Sequence, residues 1–410
     1  MISDFTALFG GDPLLGALQF LGGYAYIWMP VFLGYVFWRM WVRYVRALYI
    51  SIQKTILLEI RIPKEVNKSP AAMELTLGAF HQGFGEGNLF EIYWTGSVRP
   101  WFSLEIASFG GEIHFYVWTP ERYKDAIEAY IYAQYPSVEI VEIPDYTARI
   151  SNDQNKYKFW GTEYALTKPD PYPIKTYVDY GLDKDPKEEF KIDPLSAVLE
   201  YMGGIKPEEE MWLQIMVRVH KKEKHKQGTW FEKADWTAEA KEEIKKIVKE
   251  GALKTEENKN PTFINLSKGQ QDVVAALERN ISKLPFDVGI RSMYITTGEF
   301  NIINVFSMIG LLRPFHSNTL NGFKLQNPTG TKGYPWEDFR NIRTSRMRRR
   351  MFDAYVRRSY FHPPYHRKPF VLSNEELATI YHFPGQAVST PSFGRIESRK
   401  AEPPVNLPIG

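Results

Sequence analysis

The residues best suited to chemistry are arginines concentrated near the C-terminal end of the sequence. Between Trp336 and Arg358 the chain carries eight arginines and few acids, with aromatic and apolar residues among them. Arginine guanidinium groups contact DNA phosphates and anionic lipid headgroups, so this block predicts an anion-binding surface. The predicted contact residues are Arg343, Arg346, Arg348, Arg349 and Arg350.

The same block has a plainer interpretation as an interdomain helix. Its arginines would then pair with acids elsewhere in the chain, for instance Glu208, Glu209 and Glu210. Lipid or a partner protein is a further possible ligand. The sequence leaves these alternatives open.

A nucleotide-binding motif is absent from the sequence. There is no G-x-x-x-x-G-K-[ST], and Gly330-Thr331-Lys332-Gly333 lacks the required spacing and hydroxyl. Gly83, Gly85 and Gly87 form a glycine-rich loop with no helix behind it, which indicates a flexible loop. No arrangement of serine, histidine and carboxylate residues stands out as catalytic. We therefore expect that this chain is not an enzyme and has no small-molecule substrate.

Cofactor and metal sites are not expected either. The chain has no cysteine, which excludes disulfides and thiolate metal sites. His362 and His366 stand four residues apart, but Pro363 and Pro364 interrupt the helix that would bring them onto one face. The prediction is no cofactor and no metal.

Residues 13–39 predict a transmembrane helix that positions everything after it. The run from Pro13 to Trp38 has no charged side chain, and 26 helical residues would span about 39 Å, more than the ~30 Å hydrocarbon core. Residues 1–12 would lie on the extracytoplasmic side of the membrane, because the positive flank follows the span. The expected location is the inner membrane, single-pass, with the main body in the cytoplasm. The predicted membrane-interface residues are Trp38, Arg39, Trp41, Arg43 and Arg46.

The rest of the 410-residue chain is long enough for about two or three domains. Residues 50–150 read β-α-β-β-β-α-β, an order close to a ferredoxin-like α/β sandwich with one extra strand. Residues 151–335 give a second α/β domain with a charged insertion at 221–260. The expected fold class is α+β: one N-terminal transmembrane helix, ferredoxin-like sandwich domains and an extended C-terminal strap.

Local signals within these domains are specific. Gly110-Gly111 joins strands at 101–107 and 112–118 into a predicted hairpin. Further strands are predicted at 89–95 and 174–179 by their apolar and β-branched residues. Capping boxes at Ser267-x-x-Gln270 and Ser373-x-x-Glu376 each predict the start of a helix.

The C-terminal part differs in composition from both predicted domains. Residues 336–366 form the arginine-rich helical segment, and residues 367–410 read as a strap or linker with prolines at 391, 403, 404 and 408. Within this strap, Phe370 to Gly385 (FVLSNEELATIYHFPG) resembles the segment just before the motor domain of conjugative DNA-transfer and type IV secretion-like ATPases, the hexameric translocases of the FtsK/HerA class.

Two other stretches carry the same resemblance, which covers about residues 40–410. Asp193 to Ile215 is similar to the segment ahead of that motor, and Pro403 to Gly410 to the entry into it. A membrane helix followed by such a module is similar to proteins of candidate-phylum bacteria. The motor's own Walker lysine and acid have no counterpart here, so no catalytic residue is implied.

The resemblance implies a membrane-anchored accessory and assembly module of a DNA-translocation machine that acts by binding and docking. The implied partners are a P-loop translocase ATPase, further copies of the chain in a homo-oligomer, the lipid bilayer and DNA. The alternative is a membrane scaffold or envelope assembly protein with no nucleic-acid role.

Overall fold

The computed structural model describes residues 22–63, 68–81, 88–153, 156–183, 193–221, 236–256, 266–330, 336 and 338–384. Contacts divide the chain into two units, which are described separately. The smaller unit contains residues 1–53 and 84–98, and the larger unit contains the remainder.

The smaller unit is built on one long helix, α1 (Ala25–Ile52). A π-helical turn at Glu91–Thr95 packs against it, where the Trp41 indole donates to the carbonyl of Tyr93 at 3.0 Å. Gly96 closes the turn with φ +69°, and a Cβ there would lie 2.4 Å from the backbone of Val45. The predicted strand at 89–95 is therefore wrong, because its aromatic residues pack on a helix instead of pairing in a sheet.

The predicted transmembrane span at residues 13–39 is overturned. Among the described residues no helix is long and apolar enough to cross a membrane. The uncharged part of α1, residues 25–38, is about 21 Å long at about 1.5 Å per residue, shorter than the ~30 Å hydrocarbon core. The assignment to the inner membrane, with the N-terminus outside and the body in the cytoplasm, is corrected with it. Residues 13–21 of the predicted span lie outside the described residues.

The residues predicted to lie at a membrane interface all belong to α1, which continues through them without a break. Trp38 contacts Tyr93 with a ring-centroid separation of 5.3 Å, and Arg39 donates to the Tyr35 hydroxyl at 3.1 Å. Arg43 is exposed and Arg46 is half-buried. The two tryptophans, Trp38 and Trp41, thus pack within the unit.

The larger unit is organised by one nine-stranded sheet in which every pairing is antiparallel. The order is β4-β1-β3-β2-β6-β7-β5-β8, and β9 pairs with the first residues of β7. The strands are β1 (Thr55–Arg61), β2 (Phe102–Phe109), β3 (Glu112–Pro120), β4 (Glu139–Ile143), β5 (Lys158–Leu166), β6 (Glu209–Val219), β7 (Pro285–Thr296), β8 (Phe323–Gln326) and β9 (Phe370–Ser373).

This sheet corrects the expected fold class. Strands from both predicted sandwiches join where β2 pairs with β6, with Leu104 opposite Ile215, so separate ferredoxin-like sheets do not form. β9 and the helix after it show that residues 370–380 are core elements and not an extended strap. Residues 174–179 form turns and no strand.

Eight α-helices accompany the sheet among the described residues of this unit. Side chains cap several of them: Ser267 and Ser373 form the two predicted capping boxes, and Asp193 caps the helix that follows it. The helices are α2 (Pro70–Thr76), α3 (Lys124–Gln134), α4 (Pro194–Gly203), α5 (Trp236–Glu256), α6 (Lys268–Ile281), α7 (Ile302–Gly310), α8 (Ile342–Val356) and α9 (Asn374–Ile380).

Both faces of the central strands are buried, as β6 shows. Leu213, Ile215 and Val217 lie in the larger core with residues of α2, α3, α4 and α9. Trp212 lies on the opposite face with Met351, Phe352 and Tyr355 of α8. Positions that alternate with the apolar residues are therefore covered by protein and not by water. The sheet positions α8, whose outer side faces solvent.

Gly289 in β7 provides a test of the packing on the α8 face. A Cβ at this position would lie 2.4 Å from the Tyr360 ring, which is 1% exposed and cannot move aside. We expect Gly289→Ala to lower the free energy of unfolding by about 1–3 kcal/mol through overpacking, measured by urea denaturation. A Cβ at Gly269 in α6 would have no neighbour within 4 Å. Gly269→Ala should therefore be neutral or stabilising; equal losses from both changes would contradict this packing.

Candidate functional site

The inner side of α8 holds the helix on the sheet through aromatic packing. The Phe352 ring lies 5.0 Å from Phe159, and Tyr355 lies 5.2 Å from Trp212. Aromatic rings at such separations add stabilisation beyond the area that they bury. The orientation of α8 is therefore fixed, and its other side is directed away from the sheet.

Immediately after α8, Arg358 enters a buried polar network. Its Nε donates to Oε1 of Glu105 at 3.0 Å, its Nη2 donates to Oε2 of the same carboxylate at 3.2 Å, and it also pairs with Asp145. Tyr146 donates to Glu105 at 2.8 Å, and Gln214 donates to it at 2.9 Å. Glu105 and Arg358 are 0% and 2% exposed, so two charges sit inside the protein and each depends on the other.

The electrostatics of the network keep Arg358 and Asp145 ionised. Burial works against the charge on Arg358, but Glu105 and Asp145 together raise the pKa of its guanidinium. Burial likewise acts to raise the pKa of Asp145, yet Arg358 and Thr147 hold it below its ordinary value. Arg358 has φ +46°, a backbone conformation sparsely populated by residues other than glycine. The paired side chain holds it there.

At its other end α8 begins with a carboxylate cap. Asp338 accepts from the backbone N–H groups of Arg343 and Thr344, both at 2.7 Å. Desolvation acts in the opposite direction, but hydrogen bonds from Thr344 and Arg343 lower the pKa of Asp338. A helix N-terminus carries partial positive charge, so an arginine in the first turn adds to that potential instead of offsetting it. The Asp338 carboxylate offsets part of this positive potential.

The outer side of α8 presents an open groove. Arg343, Arg346 and Arg350 line it, three or four residues apart along one side of the helix. The other lining residues are Phe339, Ile342, Met347 and the acidic Asp338. Its volume is about 420 Å³. Cationic and apolar side chains thus alternate on a surface that solvent reaches.

The two remaining predicted contact residues differ from each other. Arg349 is exposed, whereas Arg348 is half-buried with its guanidinium carbon 5.9 Å from the centre of the Phe300 ring. Burial lowers the pKa of Arg348, although an arginine remains charged at neutral pH. We call Arg343, Arg346, Arg349 and Arg350 the arginine face; the structure places Arg348 apart from it.

The arginine face forms no salt bridge within the part of the chain that the structure describes. No carboxylate oxygen of a described residue lies within 4.0 Å of these guanidinium groups. The acids suggested as partners are engaged elsewhere: Glu209 accepts from the Tyr294 hydroxyl at 2.6 Å, and Glu210 from the Trp212 indole at 3.0 Å. Glu208 pairs with no α8 arginine either. Pairing with Glu208–Glu210 therefore does not explain the arginine block.

The buried network is what the sequence analysis missed. Glu105 alternates with apolar residues in β2, a pattern that normally places the acid in water. The pair Arg357-Arg358 at the end of an amphipathic helix was the nearest signal in the sequence. Nothing local, however, indicates which of the two arginines is buried. The structure does: Arg357 is exposed and pairs with Asp353, whereas Arg358 is buried.

Comparison with protein families gives a match over most of the chain. A family model described as a domain of unknown function, DUF8128, matches residues 51–395. This range contains all nine strands and the arginine face. No curated protein matches the chain.

Arg358→Met tests the network beneath α8. The substitution leaves the Glu105 carboxylate buried without its cation, so we expect the free energy of unfolding to fall by about 3–5 kcal/mol in urea denaturation. Arg357→Met removes the same charge from the neighbouring residue, whose salt bridge with Asp353 is exposed. It should lower the free energy of unfolding by less than about 1 kcal/mol. Adding Glu105→Gln to Arg358→Met should recover part of the loss. Equal effects of the two arginine changes would refute the assigned role of Arg358.

Proposed function

The chain belongs to the DUF8128 family, and we propose that it is a nucleic-acid-binding accessory module of a DNA-translocation machine. It acts by binding and docking, and the arginine face of α8 is its contact surface for DNA. The observation that carries this proposal is four exposed arginines on one helix without a described carboxylate partner.

The unpaired charge favours a polyanion as the ligand. Arginines that lie close together on a surface repel one another. Binding of DNA phosphates reduces this repulsion, and it also releases the counterions that are condensed on the DNA. The buried Arg358 network holds this helix in one orientation, so the four guanidinium groups act as a preorganised set.

Apolar side chains beside the arginine face favour single-stranded DNA. Phe339 is 71% exposed and Ile342 is 56% exposed, and both line the groove. Exposed aromatic rings stack on unpaired bases, which a duplex keeps inside its helix. The guanidinium carbon of Arg340 lies 5.2 Å from the centre of the Phe339 ring, so Arg340 adds a further cation beside this ring.

The resemblance of residues 370–385 to the segment before FtsK/HerA-class motors supports the setting of the proposal. In that setting a P-loop ATPase supplies the motor and this module holds DNA beside it. β9 and α9 lie in the resembling stretch and belong to the sheet core. A motor connected through this stretch would therefore be attached to a rigid part of the module.

Arg346→Gln/Arg349→Gln tests the proposal by fluorescence anisotropy with a labelled single-stranded oligonucleotide from about 50 to about 300 mM KCl. Each phosphate contact on single-stranded DNA contributes about 0.7 to the slope of log affinity against log salt. The double variant should therefore bind more weakly, with a slope smaller by about 1.4. Lys206→Gln/Lys324→Gln removes two exposed cations from elsewhere and is the matched control.

A second arm tests the stacking role of Phe339. Phe339→Ala should weaken single-stranded binding by about 1–3 kcal/mol, as expected for the loss of one stacked base, and leave duplex binding nearly unchanged. If the arginine variant has the same DNA affinity and salt slope as the wild-type chain and as the lysine control, the proposal that the arginine face binds DNA is wrong.

One observation favours a second candidate function, self-assembly as a scaffold with no nucleic-acid role. The helix α7 exposes a contiguous apolar face: Ile302, Ile303 and Phe306 are 60%, 68% and 62% exposed. A soluble surface rarely carries such a patch without a partner. Its opposite side, at Val305 and Met308, is buried in the core, so the exposed face is not required for folding.

Phe306→Glu tests self-assembly through this face by light scattering after size-exclusion chromatography. If a second copy covers α7, the wild-type chain runs as an oligomer and the variant shifts to lower mass. Leu75→Glu places the same charge on an exposed apolar residue of α2 and should leave the mass unchanged. A wild-type chain that is monomeric at the highest concentration tested would dismiss this candidate.

A further inference from the structure

A second cavity, distinct from the arginine face, lies where β6 ends and β7 begins. It has a volume of about 590 Å³, within the range typical of small-molecule sites. Arg218, His220 and Lys221 enter it from the end of β6, and Asp287 enters from β7. Trp236, the first residue of α5, and Lys368, just before β9, also line the cavity.

Asp287 fixes the imidazole of His220 in this cavity. Its Oδ1 accepts from Nδ1 of His220 at 2.6 Å, while its Oδ2 accepts from Nε and Nη2 of Arg218, both at 2.9 Å. Burial acts to raise the pKa of Asp287, but His220 and Arg218 hold it below its ordinary value. A carboxylate on Nδ1 sets the tautomer, so Nε2 is the atom of His220 that remains for a ligand.

Two polar atoms of the cavity are buried without a hydrogen-bond partner in the described structure. They are Nε2 of His220 and Nε1 of Trp236. Trp236 is 4% exposed, and an indole N–H can only donate, so it requires an acceptor. Native proteins leave few such groups unsatisfied, and a bound ligand is one of the regular explanations.

The remaining polar groups define the charge of that ligand. Lys221 and Lys368 are cations at the cavity wall, whereas Arg218 is already neutralised by Asp287. The carboxylates of Asp170 and Glu239 oppose them: Glu239 is exposed, and burial raises the pKa of Asp170 to about 6. Among the described residues no three histidine or carboxylate side chains are arranged to hold a metal ion. The buried indole N–H of Trp236 still lacks an acceptor, and the oxygens of an anion would accept from it and from the two lysines.

We infer that this cavity binds a small molecule bearing a phosphomonoester, whose oxygens accept from Trp236 and Lys368 and share a proton with His220. A phosphomonoester monoanion has oxygens that accept and one O–H that donates, so it can satisfy both the indole N–H of Trp236 and Nε2 of His220. A carboxylate ligand has no such proton to offer. The cavity is much larger than a phosphate ion, so an organic group occupies the rest of it, beside Pro169 and Pro369.

Isothermal titration calorimetry with adenosine 5′-monophosphate as the probe tests this inference on the full chain. We expect saturable binding, weaker binding of inorganic phosphate and none of adenosine, which lacks the phosphate. Trp236→Phe keeps the ring and removes the N–H, and Lys368→Gln removes an exposed cation. Each should weaken binding about tenfold or more, as a lost hydrogen bond to a charged group does.

The controls separate this site from the arginine face. Arg346→Gln/Arg349→Gln should bind the nucleotide as the wild-type chain does, because those residues lie outside the cavity. A thermal melt shows whether Trp236→Phe remains folded, and Lys368→Gln supplies the second readout. The inference is overturned if the nucleotide gives no heat, if adenosine binds equally well, or if both cavity variants bind like the wild-type chain.

Discussion

The salt bridge between Arg358 and Glu105 is the constraint on which the second face of the sheet depends. A buried carboxylate is tolerable only with a cation and hydrogen-bond donors around it, and here Arg358, Tyr146 and Gln214 supply both. Arg358 comes directly after α8, so satisfying Glu105 also decides where α8 ends. The aromatic contacts of Phe352 and Tyr355 then follow from that position.

Fixing α8 from beneath explains how its outer surface can be so cationic. Repulsion among Arg343, Arg346 and Arg350 costs stability, and the helix N-terminus adds to the cost instead of reducing it. The buried face supplies the compensating stability, with the Asp338 cap contributing at the first turn. Functional sites typically have an unfavourable local arrangement, here like charges close together on the surface, that favourable packing in the core compensates. The arginine face has this character.

Local signals in the sequence were reliable for single elements. The hairpin at Gly110-Gly111 is confirmed with φ values of +60° and +95°, and both capping boxes form as predicted. These features depend on residues a few positions apart, so their physics is present in the sequence itself.

What the sequence could not provide was the partner of each element. Nothing local indicates that β2 pairs with β6, which is far along the chain, and this pairing merges two expected sandwiches into one sheet. Nor does alternation show that both faces of a strand are covered, which is why Glu105 read as a surface acid. The run at 13–39 predicted a membrane span from its composition and length, but among the described residues no helix is long and apolar enough to cross a membrane. Of the proposed site, composition located the arginine block, but only the fold separates Arg348 and Arg358 from the exposed residues.

The most direct measurement of the central claim is photo-crosslinking with single-stranded DNA that carries 5-iodouracil, followed by mass-spectrometric mapping of the attached peptide. This reagent reacts with aromatic side chains that touch the base, and Phe339 is the exposed aromatic residue of the groove. The account predicts adducts on Phe339 or on its neighbours within residues 338–350. Adducts confined to other parts of the chain would contradict the assignment of the arginine face as the DNA-binding surface.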